Sequence, residues 1–272
     1  MTPGEEWIRV ELARLQSRRY APVAIAEFLA VSQRRAGDVR RERPHLGRRA
    51  RTWEAAGAAA WVGLACAGRE PYRRRLVSGL AWWALTSLML EWHLGMVESE
   101  DGEPRNLGPA DALTLARAWL APVIADDLAP AALLAAGVSD ALDGPLARAG
   151  VPTRAGRDLE ALADAAVHIA ALRCAWRQER MSRAVVGVEI VRVATGSAYA
   201  ACAYFVQLRA PNATVMRAGR VAAPVRVAGL IAAGAGRRRT ANALLAAGSL
   251  ASLVVLASDL SRVMNRSGPA GV

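Results

Sequence analysis

Four carboxylates stand where an apolar helix has little room for any. Asp140 and Asp143 lie three residues apart near the end of one apolar run, so both project from one helical face. Glu160 and Asp164 lie four apart at the start of the next run, and the short join over 149–157 puts both pairs at the same level. Gly144 and Ala147 strip the first face of bulk, so a large group could approach the backbone there, and Arg148 adds a cation at that end. An ionised acid at the centre of a bilayer costs ~2.5–3.5 kcal/mol on insertion scales. Four together would cost roughly 10 kcal/mol, comparable to the stability of a whole domain. Such a set must lie in a wet pocket, pair with cations or ligate metal. Oxygen donors without His or Cys suit Mg²⁺ or Mn²⁺, and two ions would offset most of the like-charge repulsion. Ions of this kind favour a phosphate-bearing substrate. The alternative that spacing leaves open is ion pairing, with Arg148, Arg154 and Arg157 as the nearby cations.

The elements that must carry these acids are long apolar runs, at about 54–68, 76–97, 110–125, 128–148, 158–175, 184–207, 218–235 and 239–260. Most approach the ~20 residues that a bilayer-spanning helix needs. The expected fold is therefore all-α: a polytopic membrane protein with a six-helix transmembrane core, an extra N-terminal helical pair and a basic amphipathic tail. The competing architecture is a soluble all-α bundle. Five segments follow from the pattern. Residues 1–52 form a basic amphipathic segment, with Trp7, Ile8, Leu12 and Leu15 at helical spacing and Pro44 and Gly47 interrupting any helix through its Arg-rich end. This segment is either an interfacial element drawn to anionic lipid headgroups or a solvated tail that fixes topology. Residues 53–97 form the helical pair, 98–109 an acidic, turn-rich linker, 110–262 the six-helix core with short loops, and 263–272 a tail.

The 272 residues carry a net charge of +11, and all 35 basic residues are Arg. With so much Ala and Gly, that bias points to a GC-rich, bacterial genome. Nucleic-acid binding ranks last, because the basic segment lacks interleaved aromatic residues and precedes membrane spans. Cys66, Cys174 and Cys202 are too scattered for a disulfide framework or a zinc site. The opening MTPGEEW lacks the basic stretch and apolar run of a secretory signal.

The acidic region resembles the CDP-alcohol phosphatidyltransferases, whose signature is DxxDGxxAR followed, after a gap, by GxxxDxxxD. Asp140, Asp143, Gly144, Ala147 and Arg148 match the first half; Gly156, Glu160 and Asp164 match the second, with Glu160 standing where the family has Asp. Thr153 also fits a common pattern. Upstream, DALTLARAWLAP places Thr114, Arg117 and Pro122 on the family's N-x-x-T-x-x-R and Pro, with Asp111 at the Asn position. Downstream, Gly219-Arg220 stands where relatives often carry Gly-Lys. The likeness covers about 109–262.

This resemblance implies an integral-membrane phospholipid synthase with six transmembrane helices. It would transfer a phosphatidyl group from CDP-diacylglycerol to a small alcohol or a phospholipid acceptor and release CMP. It implies two Mg²⁺ or Mn²⁺ ions held by Asp140, Asp143, Glu160 and Asp164, with Asp164 also the base for the acceptor hydroxyl. Thr114, Arg117, Gly144, Ala147, Arg148 and Gly156 would bound the CDP site, and Thr153, Arg192 and Arg220 would serve the acceptor. Arg192 interrupts the run 184–207 three residues after Glu189, so pairing with that acid is equally open. The expected setting is the plasma membrane with the site facing the cytoplasm, membrane lipids as surroundings and a homodimer as a compatible assembly. Two other functions fit the acids: a prenyl transferase using Mg-pyrophosphate, and a degenerate relative that binds lipid or nucleotide as a scaffold.

Overall fold

The computed structural model describes residues 2–96, 102, 105–150 and 153–266. These residues contain no strand. Their helices are α1 (Pro3–Ser17), α2 (Pro22–Glu42), α3 (Pro44–Cys66), α4 (Leu76–His93), α5 (Pro109–Asp126), α6 (Pro130–Ala149), α7 (Arg154–Arg177), α8 (Arg183–Ala201), α9 (Ala213–Gly234) and α10 (Arg238–Arg266). A 3-10 turn, Leu94–Met96, extends α4, and a π-helical turn, Cys202–Val206, extends α8. Proline opens α1, α2, α3, α5 and α6. The first helical position suits it, because the missing N–H would have no intrahelical partner there and its fixed φ is already helical.

The chain divides into two compact units, Met1–Cys174 and Ala175–Val272. In the first, α2 packs on α3 and α4, α3 on α4, α4 on α5, and α5 on α6. Leu46, Ala50, Leu90, Leu94, Leu107, Leu115 and Leu159 form its buried apolar cluster, drawn from α3, α4, the segment before α5, α5 itself and α7. Leu159 directly precedes Glu160, so this cluster fixes the part of α7 from which the acids emerge. Leu107 anchors the end of the expected linker: its side chain is fully buried, and its carbonyl accepts from Arg49 Nη1 at 3.1 Å.

Pro122 in α5 has no N–H, which deprives the Ala118 carbonyl of its intrahelical donor. The indole Nε1 of Trp82 in α4 supplies the missing hydrogen bond at 2.8 Å. On the next residue, the Trp119 ring lies so close to Gly57 of α3 that any Cβ there would collide with it. At the far end of α5, Arg74 and Arg75 both bind Asp126, Arg75 at 2.6 Å. Helices α3 and α4, with the turn between them, therefore pack against α5.

Two boundaries differ from expectation. Pro44 does end α2, but α3 begins on it and runs through Gly47, so the division at 52/53 falls inside a helix. Gly47 is buried under the stem of Arg40, whose Cγ would lie 3.0 Å from a Cβ at that position. Packing against that stem favours glycine within the helix. At the other end α10 continues to Arg266, into the expected tail. Residues 97–101, 103–104, 151–152 and 267–272, which include much of the expected linker and tail, lie outside the described residues.

In the second unit α10 packs on α9 and α8. Ser182 caps α8 and Asn212 caps α9. At the other end of α8, Tyr199 Oη donates to Asp259 Oδ2 at 3.1 Å and Asn212 Nδ2 to Asp259 Oδ1 at 2.7 Å, tying three helices together. Two stretches among the described residues are long and apolar enough to cross a bilayer, Arg183–Val206 and Arg238–Asp259. Only 17% and 28% of their apolar windows is buried, leaving Ile190, Val191, Leu250 and Val254 outward. The all-helical class is as expected, whereas six crossing helices are not all evident by length and hydropathy. The reason lies in the charges: α5 carries Asp111, Arg117 and Asp126, α6 carries Asp140, Asp143 and Arg148, and α7 and α9 carry several each.

Candidate active site

The site is assembled by α5, α6 and α7. On α6, Asp140 and Asp143 project one turn apart; on α7, Glu160 and Asp164 do the same. Ligand oxygens of Asp140, Asp143 and Glu160 all lie within 4.8 Å of one another. Asp164 is not in that three-way group. It joins through Arg117 of α5, whose Nη1 stands 3.2 Å from Asp164 Oδ1. The same Nη1 binds Asp140 Oδ1, while Nη2 binds Asp143 Oδ2 at 2.5 Å. The Arg117 side chain is 2% exposed, Asp143 is buried, and Asp140 and Asp164 are open enough to meet water or ligand. Arg117, absent from the ion pairs that spacing suggested, is thus a cation among the acids. Arg148 is exposed at the end of α6, its Nη1 3.4 Å from where a Cβ on Gly144 would stand. The side chains of Arg154 and Arg157 lie outside the described atoms.

The start of α7 is fixed by small groups. Thr153 Oγ1 accepts from Gly156 N at 3.0 Å, the usual N-cap geometry, and the hydroxyl keeps its own O–H as a donor. Asp111 Oδ2 accepts from Gly108 N at 2.7 Å and caps α5, and its Oδ1 lies where a Cβ on Gly156 would have to go. Glycine at 156 is what lets the two helix starts approach. Thr114 is buried and its hydroxyl donates to Ala110 O at 3.2 Å. Ala147 is half-buried on α6. His93 Nε2 of α4 stands 3.9 Å from Asp158 Oδ2 on α7, and its Nδ1 lies 2.6 Å from Met89 O.

Residues 108–257, more than half of the chain, match the family model of the CDP-alcohol phosphatidyltransferases. The chain belongs to that family. No curated protein and no solved structure matches it. Phosphatidyltransferases of this family are membrane-associated enzymes that move a phosphoryl-alcohol group from a CDP-alcohol to an acceptor alcohol, typically with divalent metal. Membership decides against the prenyl transferase.

The remaining candidates sit in the second unit. Arg192 Nε donates to Glu189 Oε2 at 2.9 Å, and the fully buried Glu189 also accepts from Ser249. Arg192 is thus paired with Glu189. Arg220 is exposed on α9. One functional candidate was missed from sequence: Arg226, buried on α9, donates to Ser252 Oγ at 2.9 Å and to Gly219 O at 3.2 Å, with no ion pair among the described residues. Its signal was present, an arginine within the apolar run 218–235, as for Arg192.

Proposed function

We propose that this chain is a phospholipid synthase that transfers the phosphatidyl group of CDP-diacylglycerol to an alcohol acceptor and releases CMP. The observation that carries this reading is the convergence of Asp140, Asp143 and Glu160 from two helices within 4.8 Å. Three ionised carboxylates that close repel strongly, and hard oxygen donors without nitrogen or sulfur match Mg²⁺ or Mn²⁺. The extra methylene of Glu160 does not remove its carboxylate from the group, which supports a working site and not a degenerate scaffold. Asp140, Asp143 and Glu160, with Asp164, are the residues that would hold two ions. Bound divalent ions supply positive charge against the oxygens of a diphosphate.

The chain's own residues then divide the work. Asp164 takes the proton of the acceptor hydroxyl; the acceptor oxygen bonds to the phosphorus bearing diacylglycerol, and the bond from that phosphorus to the CMP oxygen breaks. Exposed Arg148, beside the bare flank of Gly144 and Ala147, faces a diphosphate with a cation, and Gly156 and Thr114 bound the nucleotide side. We assign Thr153, Arg192 and Arg220 to the acceptor. In our reading residues 110–262 are the catalytic core and their six helices cross the plasma membrane of a bacterium. The basic segment 1–52 stays in the cytoplasm, as the positive-inside rule favours.

The test offers labelled CDP-diacylglycerol and Mg²⁺ or Mn²⁺ to membranes containing the chain, with glycerol 3-phosphate, inositol phosphate, serine and a phospholipid supplied singly as acceptors. One acceptor should release CMP, and Asp164→Asn should lower that release by about 10²–10⁴-fold. Undiminished turnover in that variant would refute the assigned base.

A further inference from the structure

The acid cluster already contains a cation. Arg117 reaches it from α5, gripping Asp140 and Asp143 of α6 and Asp164 of α7 with two nitrogens. Two of those three carboxylates, Asp140 and Asp143, are also members of the close group with Glu160. A guanidinium and a divalent ion would thus contend for the same acids, and their like charges oppose simultaneous occupation at short range. A second observation concerns the donor left over. Arg117 Nε is buried and has no hydrogen-bond partner among the described residues. A guanidinium offers its donors in a planar fork that matches two oxygens of a phosphate, and a buried donor without a partner is a standing cost. The present posture uses two of the three nitrogens on carboxylates and leaves the third unsatisfied.

We propose that Arg117 is the resident counter-cation of the acid cluster, which it yields to divalent ions, its freed fork then being available to substrate phosphate. The proposal rests on the reading that these carboxylates hold divalent ions. In the ion-free protein Arg117 keeps three like charges together and so preserves the arrangement of α5, α6 and α7. In the loaded protein its charge is turned toward the anion that accompanies the ions. Metal and substrate binding are thereby linked through one side chain, a coupling that must be reciprocal.

The test uses the full chain in detergent micelles, titrated with Mn²⁺ alone and followed by the electron paramagnetic resonance of free Mn²⁺. Arg117→Gln removes the competing charge and should bind Mn²⁺ about ten-fold more tightly than wild type. It should also melt at a lower temperature without the ion and gain more from adding it. Arg117→Lys, which keeps the charge, should return the affinity toward wild type. Equal Mn²⁺ affinity in wild type and Arg117→Gln overturns the proposal while leaving the metal site standing. No Mn²⁺ binding by either protein overturns both. A measurement on wild type alone covers the case in which Arg117→Gln does not fold. Modification of Arg117 by an arginine-specific dicarbonyl, read by peptide mass spectrometry, should rise several-fold with Mn²⁺, and unchanged modification overturns the proposal.

Discussion

Two charge clusters among the described residues, one half-open and one enclosed, are unbalanced in opposite directions. Around Arg117, four carboxylates (Asp140, Asp143, Glu160 and Asp164) gather in the first unit, and Arg117 is the guanidinium that binds three of them among the described residues. In the second unit one carboxylate, Glu189, stands beside Arg192, while buried Arg226 on α9 donates to a hydroxyl and a carbonyl and makes no ion pair among the described residues. Both are built of the same residue types on helices. The difference shows that burial alone does not define a site; the sign of the uncompensated charge does. A surplus of carboxylates calls for cations, whereas a surplus of guanidinium suits an anion. Glu189 itself, enclosed between Ser249 and Arg192, accepts a hydrogen bond on each carboxylate oxygen.

The largest effect should come from the first cluster. Asp143→Asn removes a ligand from its most buried position and should reduce CMP release by about a thousand-fold or more, since charge stabilisation by a bound ion is worth several kcal/mol. Chelation should do the same to wild type, and added Mg²⁺ or Mn²⁺ should reverse it. Glu189→Gln should act on folding first. Leaving the partly buried Arg192 without its acid should cost at most about 3 kcal/mol of stability, measured by thermal unfolding in detergent. The double variant Glu189→Gln, Arg192→Met should recover most of it. If Glu189→Gln unfolds like wild type, the second cluster is not the closed ion pair described above.

A smaller effect tests the brace on α5. Trp82→Phe deletes the donor to Ala118 O and should lower stability by about 1–2 kcal/mol. In a Pro122→Ala background the helix regains its own N–H, so the same substitution should cost clearly less there. Additive losses would show that the indole acts by packing alone. The smallest effect belongs to the exposed pair of Arg18 and Glu27, where the guanidinium hydrogen bond holds Glu27 below the ordinary glutamate range. Any stabilisation from it exists above that ordinary range and vanishes as pH falls through the lowered value. Glu27→Gln should therefore match wild type at low pH and differ from it near neutrality by no more than an exposed pair contributes, which is often nothing measurable.

Much of the family-matching region was legible beforehand. The i, i+3 and i, i+4 spacings are local, and local spacing decides which residues share a helical face, so Asp140 with Asp143 and Glu160 with Asp164 could be read directly. The apolar runs located the helices to within a few residues for the same reason. Helix starts were read less well near Arg-rich stretches, because Gly47 lies within α3 under Arg40 of the preceding helix, a contact that depends on how the chain turns at Pro44. Arg226 was overlooked although its run was recognised, since attention to acids does not reveal a cation whose partners are hydroxyl and carbonyl groups.

Spacing and residue type, both carried by the chain's order, were enough to name the family, the acidic pairs and the kind of ion they suit. Which cation lies among those acids was not legible, because Arg117 is 23 residues from Asp140 and 47 from Asp164, and only the packing of α5 against α6 brings them into hydrogen-bond range. The same holds for residues 1–97. Their sequence reads as an appendage, yet Trp82 completes the hydrogen bonding that Pro122 leaves open, and Leu46, Ala50, Leu90 and Leu94 share a core with Leu159. Contacts between distant segments follow from burial and from the need to satisfy every enclosed polar group, and those demands are met in three dimensions only.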